Sequence, residues 1–215
     1  MIFALATPTG KAALAVFRIS GSGCHEVISK ILDKNIAEFN RVFLRKIIHD
    51  GVLVDVSTVV FYKSPKSYTG EDMVEVFCHG GFATLKKLID LFHNLNIREA
   101  EPGEFTKISV LNGKQTLNEA ESLLDLINST TDAEMNMALG VVAGELSNTV
   151  SVLGDELDDI RVFVESIIDF DDEDGVDVSL EEVIERLEAL RLGFGDLKKQ
   201  GFRSSNIGKT NGVLM

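Results

Sequence analysis

Residues 2–23 read IFALATPTGKAALAVFRISGSG. Residues 2–6 and 12–20 are short apolar runs separated by the Pro8–Gly10 turn, so two strands joined by that turn are expected. The glycines of SGSG then stop the second strand, and Cys24, Val27, Ile28, Ile31 and Leu32 recur at helical spacing beyond it. Three further β-rich runs follow, RVFLRKII, VLVDVSTVVFY and MVEVFC. A helix over about 81–95 would then place Leu85, Leu88, Ile89 and Phe92 on one side. One helix between the early and middle strands is the pattern of an α+β domain with a mixed sheet.

From residue 116 onward the periodicity is helical throughout. Thr116 followed by Glu119 has the spacing of a capping box, and Leu117, Ala120, Leu123, Leu124 and Ile127 form a stripe expected to bury. A long helix is expected over 133–169, where Gly140, Gly144 and Gly154 each cost roughly 1 kcal/mol against Ala. Close helix contact or simple tolerance would each account for those glycines. The acidic stretch at 169–177 breaks the pattern, and Ser179 with Glu182 caps a last helix carrying Val183, Leu187 and Leu190. Neither internal repeats nor calcium-loop spacing occur, and no metal site is expected.

Charge divides the chain at the same place. Residues 1–113 hold 13 Lys+Arg against 12 Asp+Glu, while 114–215 hold 8 against 22, within a total net charge of −13. So acidic a second half repels phosphate backbones, and any contact with a nucleic acid is expected to be indirect. Two cysteines, an apolar start without a basic flank, and no apolar stretch of the ~18 to 20 residues needed to cross a bilayer point to a reducing cytosol and away from a membrane.

Three residues stand out as candidates for chemistry. Arg18 follows Leu14 and Val16 at alternate strand positions, and Glu75 lies between Met73 and Phe77 in the same way, so each puts a charge on an otherwise apolar face. They are either a cross-strand ion pair or the polar groups of a ligand site: a carboxylate accepts two hydrogen bonds from an amidine-like ring edge, and a cation holds a carboxylate tail. Lys114, at the turn into the second half, is either solvated or a second such cation. SYTGED (67–72) and CHGG (78–81) are turns that frame the Glu75 strand. Cys78 beside His79 lacks metal-ligand spacing and reads as a turn histidine.

Taken in order and spacing, ATPTGKAALAVFRISG, SYTGEDMVEVFCHGG, EPGEFTKISVLNGK, LNEAESLLDLI and VESIIDFDDED resemble the N-terminal part of the MnmE (TrmE) family of tRNA-modification GTPases. The resemblance implies an aminomethyltransferase-like, tetrahydrofolate-binding and dimerising domain over 1–113, then the first part of an all-α helical domain over 114–200. It also implies that Arg18, Glu75 and Lys114 contact a tetrahydrofolate derivative, 5-formyl or methylene. Further implied are a homodimer, an FAD-containing MnmG-like partner, a role at wobble uridine 34 of tRNA, and a cytoplasmic location. No catalytic residue is assigned.

The family's GTPase domain opens on a phosphate loop, and SSNIGKT resembles the start of one. Gly208, Lys209 and Thr210 fit the pattern, but its first glycine falls on Arg203 and only five residues follow Thr210. Residues 201–215 are therefore expected to be a degenerate remnant, with GTP and potassium belonging to the full-length family. The family's Cys-x-Gly-Lys tail is absent, and GKQTL stands in place of GKLDL. The expected function is thus that of a truncated folate-binding, dimerising chain without GTP turnover. Alternatives are a noncatalytic interaction module, a nonfunctional gene remnant, or an independent one-carbon transferase.

Overall fold

The computed structural model describes residues 1–35, 38–169 and 180–210. The chain divides into two compact units, Met1–Thr116 and Leu117–Met215.

The first unit is built on six strands: β1 (Ile2–Leu5), β2 (Ala12–Ser20), β3 (Val42–His49), β4 (Val52–Tyr62), β5 (Met73–Gly80) and β6 (Arg98–Glu99). Their order across the sheet is β3-β4-β5-β2-β1-β6. Only the β1–β6 pair is parallel, so the sheet is mixed. Paired residues in a ladder project to the same side, and the registers therefore sort the sheet into two faces. Leu5, Phe17, Val76, Val59 and Phe43 form one row on the first face. Ala4, Arg18, Glu75, Val60 and Val42 form a row on the other.

The first face is covered by α1 (Cys24–Ser29) and α2 (Phe82–Asn94), and the core lies between them and the sheet. Phe3, Phe17 and Phe92 are fully buried there, with ring centroids 5.1 to 6.4 Å apart. Tilted contacts of this kind add about 0.5–1.5 kcal/mol beyond burial. The second face carries α3 (Glu104–Leu111), which the sequence reading passed over because EFTKISVL is too short to show helical periodicity.

The second unit contains α4 (Leu117–Asn128), α5 (Asp132–Val142), α6 (Glu145–Asp169) and α7 (Leu180–Thr210). The single long helix expected over 133–169 is broken. Gly144 takes φ +80°, a left-handed conformation in which its N–H bonds to Val141 O and ends α5. Glycine adopts that geometry without a Cβ penalty, so here it terminates a helix. Gly154 has open space beside it, whereas the close helix approach occurs at Gly193, where a Cβ would lie 2.8 Å from Leu153 Cδ2.

A capping box forms at Thr131 and Glu134 and starts α5. Ile160, Val183 and Leu190 form a small core with Leu153, Phe163, Val164 and Ile167. The α4 stripe, by contrast, does not bury: Leu117, Leu124 and Ile127 are exposed, the last at 72%. Ala120 and Leu123 are half-buried. Ser179 and most of the acidic stretch lie outside the described residues. No single described helix is long and apolar enough to cross a membrane.

Candidate functional site

Arg18 and Glu75 are direct partners in the β2–β5 register. Arg18 Nε and Nη2 donate to Glu75 Oε1 at 3.0 and 2.8 Å, so the cross-strand ion pair is formed. Tyr62 OH donates to the other carboxylate oxygen at 3.1 Å. Glu75 is only 9% exposed, but it carries three hydrogen bonds, which offset the cost of burying its charge. Burial, and then the charge of Glu75, push the Tyr62 phenol up to about 12, so it is the protonated form that donates here.

Aromatic groups close over the cation. Arg18 Cζ lies 4.6 Å from the Tyr68 ring centroid and 5.9 Å from that of Phe105 on α3. Guanidinium groups are drawn to the negative faces of such rings. Tyr68 OH is in turn 2.9 Å from Thr106 Oγ1, which ties the 63–72 connection to α3.

That connection is held along its length. Ser20 Oγ is 2.7 Å from Thr69 Oγ1 and donates to Glu71 Oε2 at 2.9 Å, and Asn112 Nδ2 donates to Thr69 O at 2.7 Å. Asp72 accepts from Ser64 N at 2.9 Å and from Lys63 Nζ at 3.1 Å. Burial raises the Asp72 carboxyl, but these donors and nearby His25 outweigh it and leave the pKa below the ordinary value. Lys114 Nζ donates to Pro65 O at 3.0 Å. Gly70 has φ +79°, and a Cβ there would meet Asn112 Cβ at 3.1 Å and Lys114 Cγ at 3.2 Å, so the stem of Lys114 lies along the turn.

Arg18 and Glu75 are therefore joined directly, while Lys114 is linked to them through the connection it braces. Tyr62, Tyr68, Thr69, Ser20, Phe105 and Thr106 went unassigned in the sequence. Only Tyr68 and Thr69 had a signal, their place in SYTGED; the others need the register or α3 to be known. The turn expected at CHGG does not begin at Cys78: Cys78, His79 and Gly80 continue β5, paired with β2, so Cys78 and His79 point apart as neighbours on a strand must. The Cys78 thiol is in the core and is pushed up to about 11 by burial and by Asp55. His79 Nδ1 instead contacts Asp55 Oδ1 at 2.7 Å. No cluster of metal-ligating side chains occurs among the described residues. Gly208, Lys209 and Thr210 form the end of α7, and their side chains lie outside the described residues.

The donor set fits the edge of a pterin. Arg18 fills both acceptor sites of Glu75 Oε1, whereas Oε2 keeps one beyond Tyr62, and the Arg18 side chain is 26% exposed. Tyr68 and Phe105 supply flat apolar surface beside both charges.

Two family models match the chain: the GTP-binding protein TrmE N-terminus over residues 1–114 and the MnmE helical domain over residues 117–207. The tRNA modification GTPase MnmE of Thermotoga petrophila is 42% identical over 224 residues, covering 98% of this chain and 48% of the relative. That of Aquifex aeolicus is 37% identical over 205 residues, 92% of this chain and 45% of the relative. That of Clostridioides difficile is 32% identical over 225 residues, 98% and 49%. The chain thus spans about half the length of the curated relatives it matches. With a mixed-sheet unit followed by helices, and both models matched in order, the chain belongs to the MnmE (TrmE) family of tRNA-modification proteins.

Proposed function

We propose that the N-terminal unit binds a tetrahydrofolate derivative, 5-formyl or methylene, at Arg18 and Glu75, with Lys114 as a further cation toward the folate's carboxylates. The observation that carries this reading is the Glu75 carboxylate, nearly buried at the centre of the sheet yet retaining acceptor capacity beside Arg18 and Tyr68. Glu75 would accept from the pterin edge, and the flat rings would pack on it. The folate itself supplies the one-carbon unit; these residues bind and orient it.

The same unit forms a homodimer in this reading. Val42 and Leu44 on β3 and Leu14 on β2 are exposed apolar residues near the edge and end of the sheet, and Val42 lies in the row of Arg18 and Glu75. Apolar surface of this kind is characteristic of a contact between subunits. The wider role is modification of wobble uridine 34 of tRNA in the cytoplasm together with an FAD-containing MnmG-like partner, the tRNA being met indirectly by so acidic a chain. GTP turnover and its potassium ion are not assigned to Gly208, Lys209 and Thr210, because a phosphate loop precedes a helix and these residues lie within α7.

Calorimetric titration of the purified chain with 5-formyltetrahydrofolate tests the site, with Glu75→Gln and Lys114→Ala alongside and folding checked by circular dichroism. Saturable binding by the parent and its loss in folded Glu75→Gln are expected. A folded parent that takes up no folate overturns the reading. Light scattering after size exclusion tests the dimer, and a strictly monomeric species at all concentrations removes that part.

A further inference from the structure

The helix-covered face of the N-terminal unit holds a cavity of about 450 Å³, a size in the range of small-ligand pockets. One wall is α2, where Phe82, Leu85, Lys86 and Ile89 fall at i, i+3, i+4 and i+7 and so share a side. The other is Leu5 at the end of β1, with Thr9 and Lys11 of the turn that follows. Leu5, Leu85 and Ile89 belong to or pack on the core, so the floor is rigid and apolar. Phe82, at the first position of α2, is 81% exposed at the rim.

Lys11 and Lys86 stand at this otherwise apolar opening, and neither side chain forms a hydrogen bond or ion pair with another described residue. Two unpaired ammonium groups beside an apolar hollow repel cations and offer nothing to a neutral hydrocarbon. They complement a molecule with an apolar body and a negative head. Leu5 shares its row with Phe17 and Val76, whereas Arg18 and Glu75 project to the opposite face, so this cavity is separate from the site above.

We propose that the cavity binds a small organic anion, with its ring or short acyl body against Phe82, Leu85 and Ile89 and its anionic head between Lys11 and Lys86. Each lysine strengthens binding by about fivefold at low ionic strength, the upper range for an exposed charge pair.

The test is amide NMR of the full chain titrated with octanoate, octyl phosphate and octanol. Saturable shifts confined to residues 9–11 and 82–89 are expected with the two anions, with octanol at least about fivefold weaker. Lys11→Gln/Lys86→Gln should erase that difference, and Ile89→Gln should weaken all three. Shifts with only one of the anions would assign its head group to the site. Equal binding of octanol and octanoate, indifference to the lysine pair, or no saturable shift overturns the proposal. So does shifting of the same amides with protein concentration alone, which would mark a contact between copies. Binding to anionic phospholipid vesicles without binding of octanoate overturns it in favour of a lipid surface.

Discussion

Replacing Glu75 by Ala is the sharpest perturbation of the polar cluster. It removes three hydrogen bonds, two of them from a guanidinium, and leaves Arg18 in a setting where its side chain is 26% exposed. Breaking a fully buried pair costs about 3–5 kcal/mol and an exposed one about 0–1. With partners 26% and 11% exposed, the pair lies between those limits, nearer the buried one, and a loss of about 3 kcal/mol is expected. Glu75→Gln keeps one acceptor oxygen for Arg18 but sets an amide N–H2 against Tyr62 OH, which must then accept rather than donate, and should lose about 1–2 kcal/mol. A cycle with Arg18→Met should show coupling of about 1–2 kcal/mol, because both single variants break the same contact. The assay is urea unfolding followed by tyrosine fluorescence. The chain has two tyrosines and no tryptophan, and Tyr62 and Tyr68 are both in the first unit, so the signal reports that unit alone. A Glu75→Ala chain within about 0.5 kcal/mol of the parent, with coupling near zero, would refute the view that the cluster is a buried, mutually satisfied unit.

Cys24 and Cys78 are buried, with thiols pushed up to about 12 and about 11 by burial and nearby carboxylates, so neither should react with a thiol reagent at pH 8 until the first unit unfolds; rapid native labelling would contradict the core packing. Arg98 donates to Glu104 at 2.6 and 3.0 Å and the Glu101 N–H adds a third bond, which together hold the Glu104 carboxyl at about 2 against an ordinary 4.5. A lowered folded-state pKa means the contribution is present above pH 4.5 and is lost as pH falls toward 2. Carboxyl-carbon NMR should therefore place the Glu104 midpoint near 2 and move it up in Arg98→Ala; an unmoved midpoint would remove the pair as its cause. Gly144→Ala forces a Cβ onto a φ of +80° and should cost about 1–2 kcal/mol in thermal melts followed by helical circular dichroism, where a neutral result would mean that the α5–α6 break tolerates other geometries.

The local chemistry of the sequence was sufficient for much of this architecture. Alternation around Phe17 and Val76, the turn at Pro8–Gly10 and the stripe of α2 depend on neighbours in the chain, and they specify strands and helices without knowledge of the fold. The charge break near residue 114 likewise appears where the chain passes from sheet to helices. Arg18 and Glu75 could be singled out because a charge on an apolar strand face is conspicuous in one dimension. Whether they met was a matter of register, which depends on pairings between residues 57 positions apart.

Tertiary structure alone brought Tyr62, Tyr68 and Phe105 to the pair, since their side chains approach through strand order and the placement of α3. It also decided that Gly144 ends a helix, because backbone conformation at a glycine is not written in hydrophobic spacing. The exposure of Ile127 was hidden for the same kind of reason: periodicity identifies a face suited to burial, but only the packed neighbours determine whether that face is covered.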